Sequence, residues 1–149
     1  MLIRAHVRNR RDRHEVILDT AGVDHSLSIP PRVSGYGSSA NGGELLCLAM
    51  ATCYCNDIYR EAQPLRVDVV SVEVSAAAEF GSPGEPATKL SYEVTVHARA
   101  SEDAIRRLIA RTDEVAEIHN TLRLGLPVVL ASAHAVSVAD EESAGSAAR

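Results

Sequence analysis

Between Asn41-Gly-Gly43 and Pro64 the chain carries a stretch whose first half, Leu45-Leu-Cys-Leu-Ala-Met-Ala51, has no polar face. A helix that is apolar all round belongs in a core, so the pattern predicts a buried helix from Glu44 to about Gln63, stopped by Pro64. The chain has 149 residues, enough for one domain with a substantial core. A sheet built from such a chain covers one side of the helix. Covering the other side calls for a second subunit, so a homodimer is expected.

The flanking segments read mainly as strands. Leu2 to Arg8 alternates polar and apolar residues, Asn9 to Asp12 turns the chain, and His14 to Thr20 returns. A short third strand is expected from His25 to Ile29, before Pro30-Pro31 and a Gly/Ser-rich loop over residues 33–43. Val67 to Phe80 predicts a long strand with Val67, Val69, Ser71 and Glu73 on one face and Val70, Val72 and Val74 on the other. Lys89 to Arg99 predicts its neighbour, with Leu90, Tyr92, Val94 and Val96 sharing a face, after a Pro/Gly loop over 81–86. Ser101 followed by Glu102 and Asp103 opens a second helix, whose apolar stripe is Ile105, Leu108, Ile109, Thr112 and Val115. Pro127 to Ala139 predicts a last strand, and the small, acidic residues Asp140 to Arg149 a frayed tail. The order βββ-α-ββ-α-β groups its strands in antiparallel sets, which predicts an α+β fold in a single domain over residues 1–139.

Composition narrows the function. A net charge of −5 disfavours a nucleic-acid partner, although Arg4, Arg8, Arg10, Arg11 and Arg13 cluster near the start. No apolar run reaches the roughly 18 residues of a membrane span, and Met1-Leu-Ile-Arg4 runs straight into a strand pattern rather than a leader. The three cysteines, 47, 53 and 55, are an odd number crowded into one helix, a poor disulfide framework that suits a reducing cytoplasm.

No cofactor is expected. Gly35-Tyr-Gly-Ser-Ser-Ala40 lacks the strand–helix setting of a dinucleotide loop, and no Lys follows it as in a phosphate loop. Cys53-Tyr-Cys55 lacks the spacing and the partner ligands of a metal site, and positions i and i+2 of a helix point apart, which argues against a disulfide. Among the six histidines His119 is the one closest to candidate chemistry. The remaining candidate is Cys53, flanked by Thr52, Asn56 and Asp57. It reads either as buried packing or as a nucleophilic thiol at the edge of an apolar pocket. Glu44 lies nine residues earlier. On one helix that is about half a turn out of phase and roughly 13 Å away, so the two do not meet within the helix.

Gly43-Glu-Leu-Leu-Cys-Leu-Ala-Met-Ala-Thr-Cys53, together with His119-Asn-Thr-Leu-Arg-Leu-Gly-Leu-Pro-Val128, resembles the OsmC/Ohr family of hydroperoxide-resistance proteins. The resemblance implies an OsmC-like intertwined homodimer, with antiparallel sheets around buried central helices. It implies Cys53 as the peroxidatic cysteine and Glu44 as the acid that holds an arginine. That arginine is expected to be Arg32, with Arg4, Arg8 or Arg13 as the alternative placement. The family's resolving cysteine falls at Ala116, and Glu117 stands where the family has proline. An intramolecular disulfide between the two helices is therefore not expected. The resemblance then implies a one-cysteine thiol peroxidase acting on a small organic hydroperoxide. Its sulfenic acid would be reduced by an external thiol or met by Cys55. The alternative is a catalytically lapsed dimer that binds a small apolar or thiol ligand.

Overall fold

The computed structural model describes residues 1–135. Strands β1 (Ile3–Arg10), β2 (Arg13–Thr20) and β3 (Val23–Ser26) form an antiparallel meander, paired from Ile3–Thr20 to Arg10–Arg13 and from Ile17–Ser26 to Thr20–Val23. The long helix α1 (Gly42–Leu65) follows, then a two-stranded antiparallel ribbon of β4 (Asp68–Phe80) and β5 (Ala87–Arg99), and the helices α2 (Glu102–Val115) and α3 (Glu117–Leu124). The α+β class and the antiparallel grouping agree with the sequence. No helix among the described residues is long and apolar enough to cross a membrane.

The start of α1 is set by a capping box. The Asn41 side chain accepts from the Glu44 amide at 3.0 Å, and the Glu44 carboxylate accepts from the Asn41 amide at 2.7 Å. The helix outruns Pro64 and ends at Leu65. Arg66 then takes a left-handed conformation (φ 54°), and the amides of Arg66 and Val67 donate to the carbonyls of Gln63 and Ala62. The residues of α1 that become buried, Met50, Tyr54, Asp57, Ile58 and Ala62, recur at helical spacing along one stripe. Its first turns are not enclosed within one chain: Leu48 is 53% exposed. The apolar girdle of the sequence is therefore covered on one side only, because β4 and the α2–α3 pair reach only that side.

The core joins Tyr54, Ile58 and Ala62 of α1 to Val67, Leu108 and Ala116, flanked by Val69, Val72, Val74, Tyr92, Val94, Val96 and Ala98 of the ribbon. The register of β4 departs from simple alternation. A shift between Val69 and Ser71 places Val69, Val72 and Val74 inward and leaves Val70 exposed. A bulge inserts one residue, and the following side chains then exchange faces. On β5 the expected face is inward from Tyr92 to Ala98.

Two further expectations change. The second helix breaks at Ala116 into α2 and α3, where the backbone turns to φ −64°, ψ 107°. The strand expected over Pro127–Ala139 does not form over its described part, 127–135, where Val128, Val129 and Leu130 are largely exposed. A strand exists only where a neighbour accepts its backbone hydrogen bonds, and among the described residues this segment has none. Residues 136–139 and the expected tail lie outside the described residues.

The core carries a direct test. Leu108 is fully buried between α1 and the ribbon. Leu108→Ala should cost about 3 kcal/mol in urea unfolding followed by circular dichroism, whereas Val70→Ala, on the face the bulge turns outward, should cost less than about 1 kcal/mol.

Candidate active site around Cys53

Cys53 and Asp57 are one helical turn apart on α1, which puts both side chains on one face. The Cys53 Sγ donates to Asp57 Oδ2 at 3.4 Å. The other oxygen, Oδ1, lies 2.8 Å from an Arg60 guanidinium nitrogen, again within a turn. The same Arg60 nitrogen reaches Glu117 Oε1 at 2.9 Å, at the start of α3, and Arg60 Nε reaches Glu61 at 3.0 Å. Glu61 in turn receives Arg111 of α2 at 3.3 Å. The thiol thus stands at one end of a chain of alternating charges that ties α1 to both later helices.

Donor atoms of Cys53, Asp57 and Glu117 all lie within 4.8 Å of one another. Arg60 engages both carboxylates, so the cluster reads as an ion-pair network with the acids in excess rather than a set of free ligands. Asp57 is buried, and burial pushes its carboxyl above the usual carboxylate range, opposed by the Cys53 hydrogen bond and by Arg60. Glu117 is held below its usual range, first by a hydrogen bond from its own backbone amide and also by Arg60.

Burial also pushes the Cys53 thiol up, and the acceptor and negative charge of Asp57, with the charge of Glu117, push it further. One influence runs the other way: a hydrogen bond from the Ile118 backbone favours the thiolate. Ile118 lies in the first turn of α3, so the sulfur meets the amide end of that helix, where negative charge is stabilised. Within one chain the acids and burial prevail, and Cys53 is a neutral thiol donating to a carboxylate.

The other residues singled out by the sequence lie elsewhere. Glu44 is exposed and occupied by the capping box, and among the described residues it makes no ion pair with an arginine. Arg32 is exposed on the loop before α1, where its Nε donates to the Ser38 carbonyl at 3.3 Å. Gly37 lies under that side chain at φ 103°, and a Cβ there would stand 3.6 Å from Arg32 Nε. One chain therefore brings neither Glu44 nor Arg32 to Cys53. The three cysteines are free.

Ala116, the position that carries no resolving sulfur, is fully buried in the core immediately before Glu117, and so lies in the segment that approaches Cys53. Arg60 and Glu117 did not emerge as site residues from sequence reasoning. Half of the signal was present. Cys53, Asp57 and Arg60 follow i, i+4, i+7 spacing and form one stripe. Nothing in the sequence brings Glu117 to that stripe, because the break at Ala116 does so.

Residues 35–131 match the family of OsmC-like proteins. No curated protein sequence gives a significant match. Solved structures that share the fold include an OsmC-like protein from Mycoplasma pneumoniae, 14% identical, with a TM-score of 0.58 over 80% of this chain and 87% of that one. An organic hydroperoxide resistance protein from Legionella pneumophila is 21% identical, with a TM-score of 0.53 over 83% and 90% of the two chains. An OsmC-like hydroperoxide resistance protein from Jannaschia sp. CCS1 is 15% identical, with a TM-score of 0.51 over 93% of each chain. At these identities the structures speak to the fold alone. The family match spans well over half of the sequence, and the chain belongs to the OsmC-like protein family.

Proposed function

We propose that this protein is a one-cysteine organic hydroperoxide reductase whose nucleophile is Cys53. The observation that carries the reading is the Cys53–Asp57 hydrogen bond at the amide end of α3. It supplies a thiol, a proton acceptor and a partial positive charge at one point. Asp57 takes the thiol proton as the sulfur attacks the terminal peroxide oxygen. The O–O bond breaks and its electron pair leaves on the alkoxide, which receives the proton back from Asp57. Sulfur and the terminal oxygen become a sulfenic acid and the peroxide becomes an alcohol; one external thiol then forms a mixed disulfide with loss of water, and a second thiol displaces Cys53 as the free thiol.

The site gains its cation from a second copy of the chain. Arg32, held by Glu44, is the favoured source, with Arg4, Arg8 or Arg13 as the alternative. A guanidinium beside the sulfur would lower the thiol pKa and stabilise the leaving oxygen. The dimer reading is supported by the uncovered side of α1, by the exposed outer strand β1 and by the unpaired segment 127–135. A second reading, a lapsed dimer that only binds a ligand, draws on the raised pKa of Cys53 within one chain.

Three outcomes are expected. Sedimentation at micromolar concentration should give a dimer; a stable folded monomer would remove the proposed source of the cation. One equivalent of cumene hydroperoxide should leave a sulfenic acid on Cys53 that dimedone traps, with labelling lost in Cys53→Ser and kept in Cys47→Ser. If excess peroxide yields neither label nor disulfide, the ligand-binding reading stands instead. A sharp rise in labelling in Cys55→Ser would make Cys55 the resolving sulfur.

The third outcome concerns pH. With Asp57 and Glu117 disfavouring the thiolate, alkylation of a preparation without the partner's cation should rise with a midpoint above the ordinary thiol value of 9.0. Asp57→Asn removes the negative charge and offers an amide donor to the thiolate, so the midpoint should fall and alkylation at pH 7 should quicken by up to about tenfold. Reduction of cumene hydroperoxide by the same variant should slow by at least about tenfold, since the proton carrier is gone. Parallel changes in the two rates would remove Asp57 from proton transfer.

A further inference from the structure

His119 sits between two tyrosines, 5.4 Å from the Tyr54 ring and 4.6 Å from the Tyr92 ring by centroids. It is only 3% exposed, and neither ring nitrogen has a hydrogen-bond partner among the described residues. A buried imidazole in this state forgoes hydrogen bonds it would make in water, which is uncommon in a folded protein. The tyrosine hydroxyls do not relieve it. Tyr54 donates to the Ile109 carbonyl at 2.9 Å and Tyr92 donates to Asp113.

The His119 ring lines a cavity of about 370 Å³ between α1, β5 and α3. That size falls within the range of small-molecule sites, roughly 300–1,000 Å³. Met50, Leu90 and Leu122 supply apolar wall. The two cations on the wall already have acidic partners: Lys89 lies 3.2 Å from Glu79, and Arg123 lies 2.6 Å from Asp113. Burial, and then the charge of Arg123, hold His119 below its ordinary pKa, so the ring is neutral near pH 7. A neutral imidazole offers one donor and one acceptor, which matches a hydroxyl group better than a carboxylate.

We propose that this cavity binds a small uncharged amphiphile, a molecule with an aliphatic or aromatic body and one hydroxyl group. The body rests on Met50, Leu90 and Leu122. Both nitrogens are buried as the ring stands, so the ring must turn about its Cβ–Cγ bond to meet the hydroxyl. The wall includes none of Cys53, Asp57 and Glu117, so the site is separate from the thiol chemistry and stands whether or not that chemistry occurs.

Calorimetry with octan-1-ol and with octanoate on the full chain tests it. Octan-1-ol should bind saturably and octanoate at least about tenfold more weakly, because no unpaired cation awaits it. Leu122→Trp should fill the cavity and abolish binding, His119→Phe should weaken it at least about fivefold, and Cys53→Ser should leave it unchanged. Nitrogen NMR of the His119 ring in the unaltered protein gives a readout independent of whether the variants fold, and its signals should shift on adding octan-1-ol. The proposal is overturned by absence of saturable octan-1-ol binding up to its solubility, by octanoate binding as tightly, or by ring signals that stay in place while octan-1-ol binds. It is overturned equally by folded Leu122→Trp or His119→Phe proteins that bind octan-1-ol unchanged. Loss of binding in Cys53→Ser would place the ligand at the thiol and overturn it as well.

Discussion

The α2–α3 corner rests directly on α1 at Ala116, and much of the molecule's chemistry depends on that approach. A fully buried alanine has only a methyl group, too small to hold the two helices away from the core. Its amide donates to the Thr112 carbonyl, closing α2, and its carbonyl accepts from the Asn120 amide, opening α3. The corner therefore leaves no backbone group of Ala116 unpaired, which is the condition for burying a turn. Once the corner is seated, three consecutive residues are placed at α1. Glu117 reaches Arg60, the Ile118 amide faces Cys53, and His119 enters between Tyr54 and Tyr92.

The same seating explains why two kinds of environment lie side by side. On one side of Tyr54, Asp57, Glu61 and Glu117 are paired with Arg60 and Arg111, which leaves the acids in excess near the sulfur. On the other, the aromatic trio closes off from water and leaves an imidazole without partners. The Tyr92–Asp113–Arg123 contacts bound that second region, and they hold Asp113 below its usual carboxylate range while burial raises Tyr92. Desolvation acts in both regions. In the first it is partly offset by the ion pairs, and at the His119 nitrogens no described residue offsets it.

The single chain leaves one side of α1, the strand β1 and the residues from Leu126 to Leu130 open. On α1 and over Leu126 to Leu130 these are apolar surfaces that water disfavours, and large exposed patches of this kind mark association sites, while β1 offers an unpaired strand edge. The proposed dimer accounts for all of them with one partner. It also accounts for the positions of Arg32 and Glu44, which are exposed and remote from Cys53 within their own chain.

Much of the fold was legible in the residues because it follows from local pattern. Alternation marks β1, β2 and β5, the Ser101 cap marks α2, and the apolar run marks α1. Pattern failed where a neighbour decides the outcome. The bulge at Val69–Ser71 reassigns a strand face, and residues 127–135 stay irregular although they read as a strand. The candidate site divides in the same way. Cys53 and its polar neighbour Asp57 could be found in the sequence, since one helical turn fixes their relation. Glu117 and His119 could not be placed there, because 57 residues separate Glu117 from Arg60 and 65 separate His119 from Tyr54, and only the packed corner brings them together. The sequence by itself determined most of the elements and the relation of Cys53 to Asp57, since both rest on contacts within a turn or a strand. The tertiary structure decided the thiol's protonation and the orphaned imidazole, since both depend on which distant groups exclude water from them.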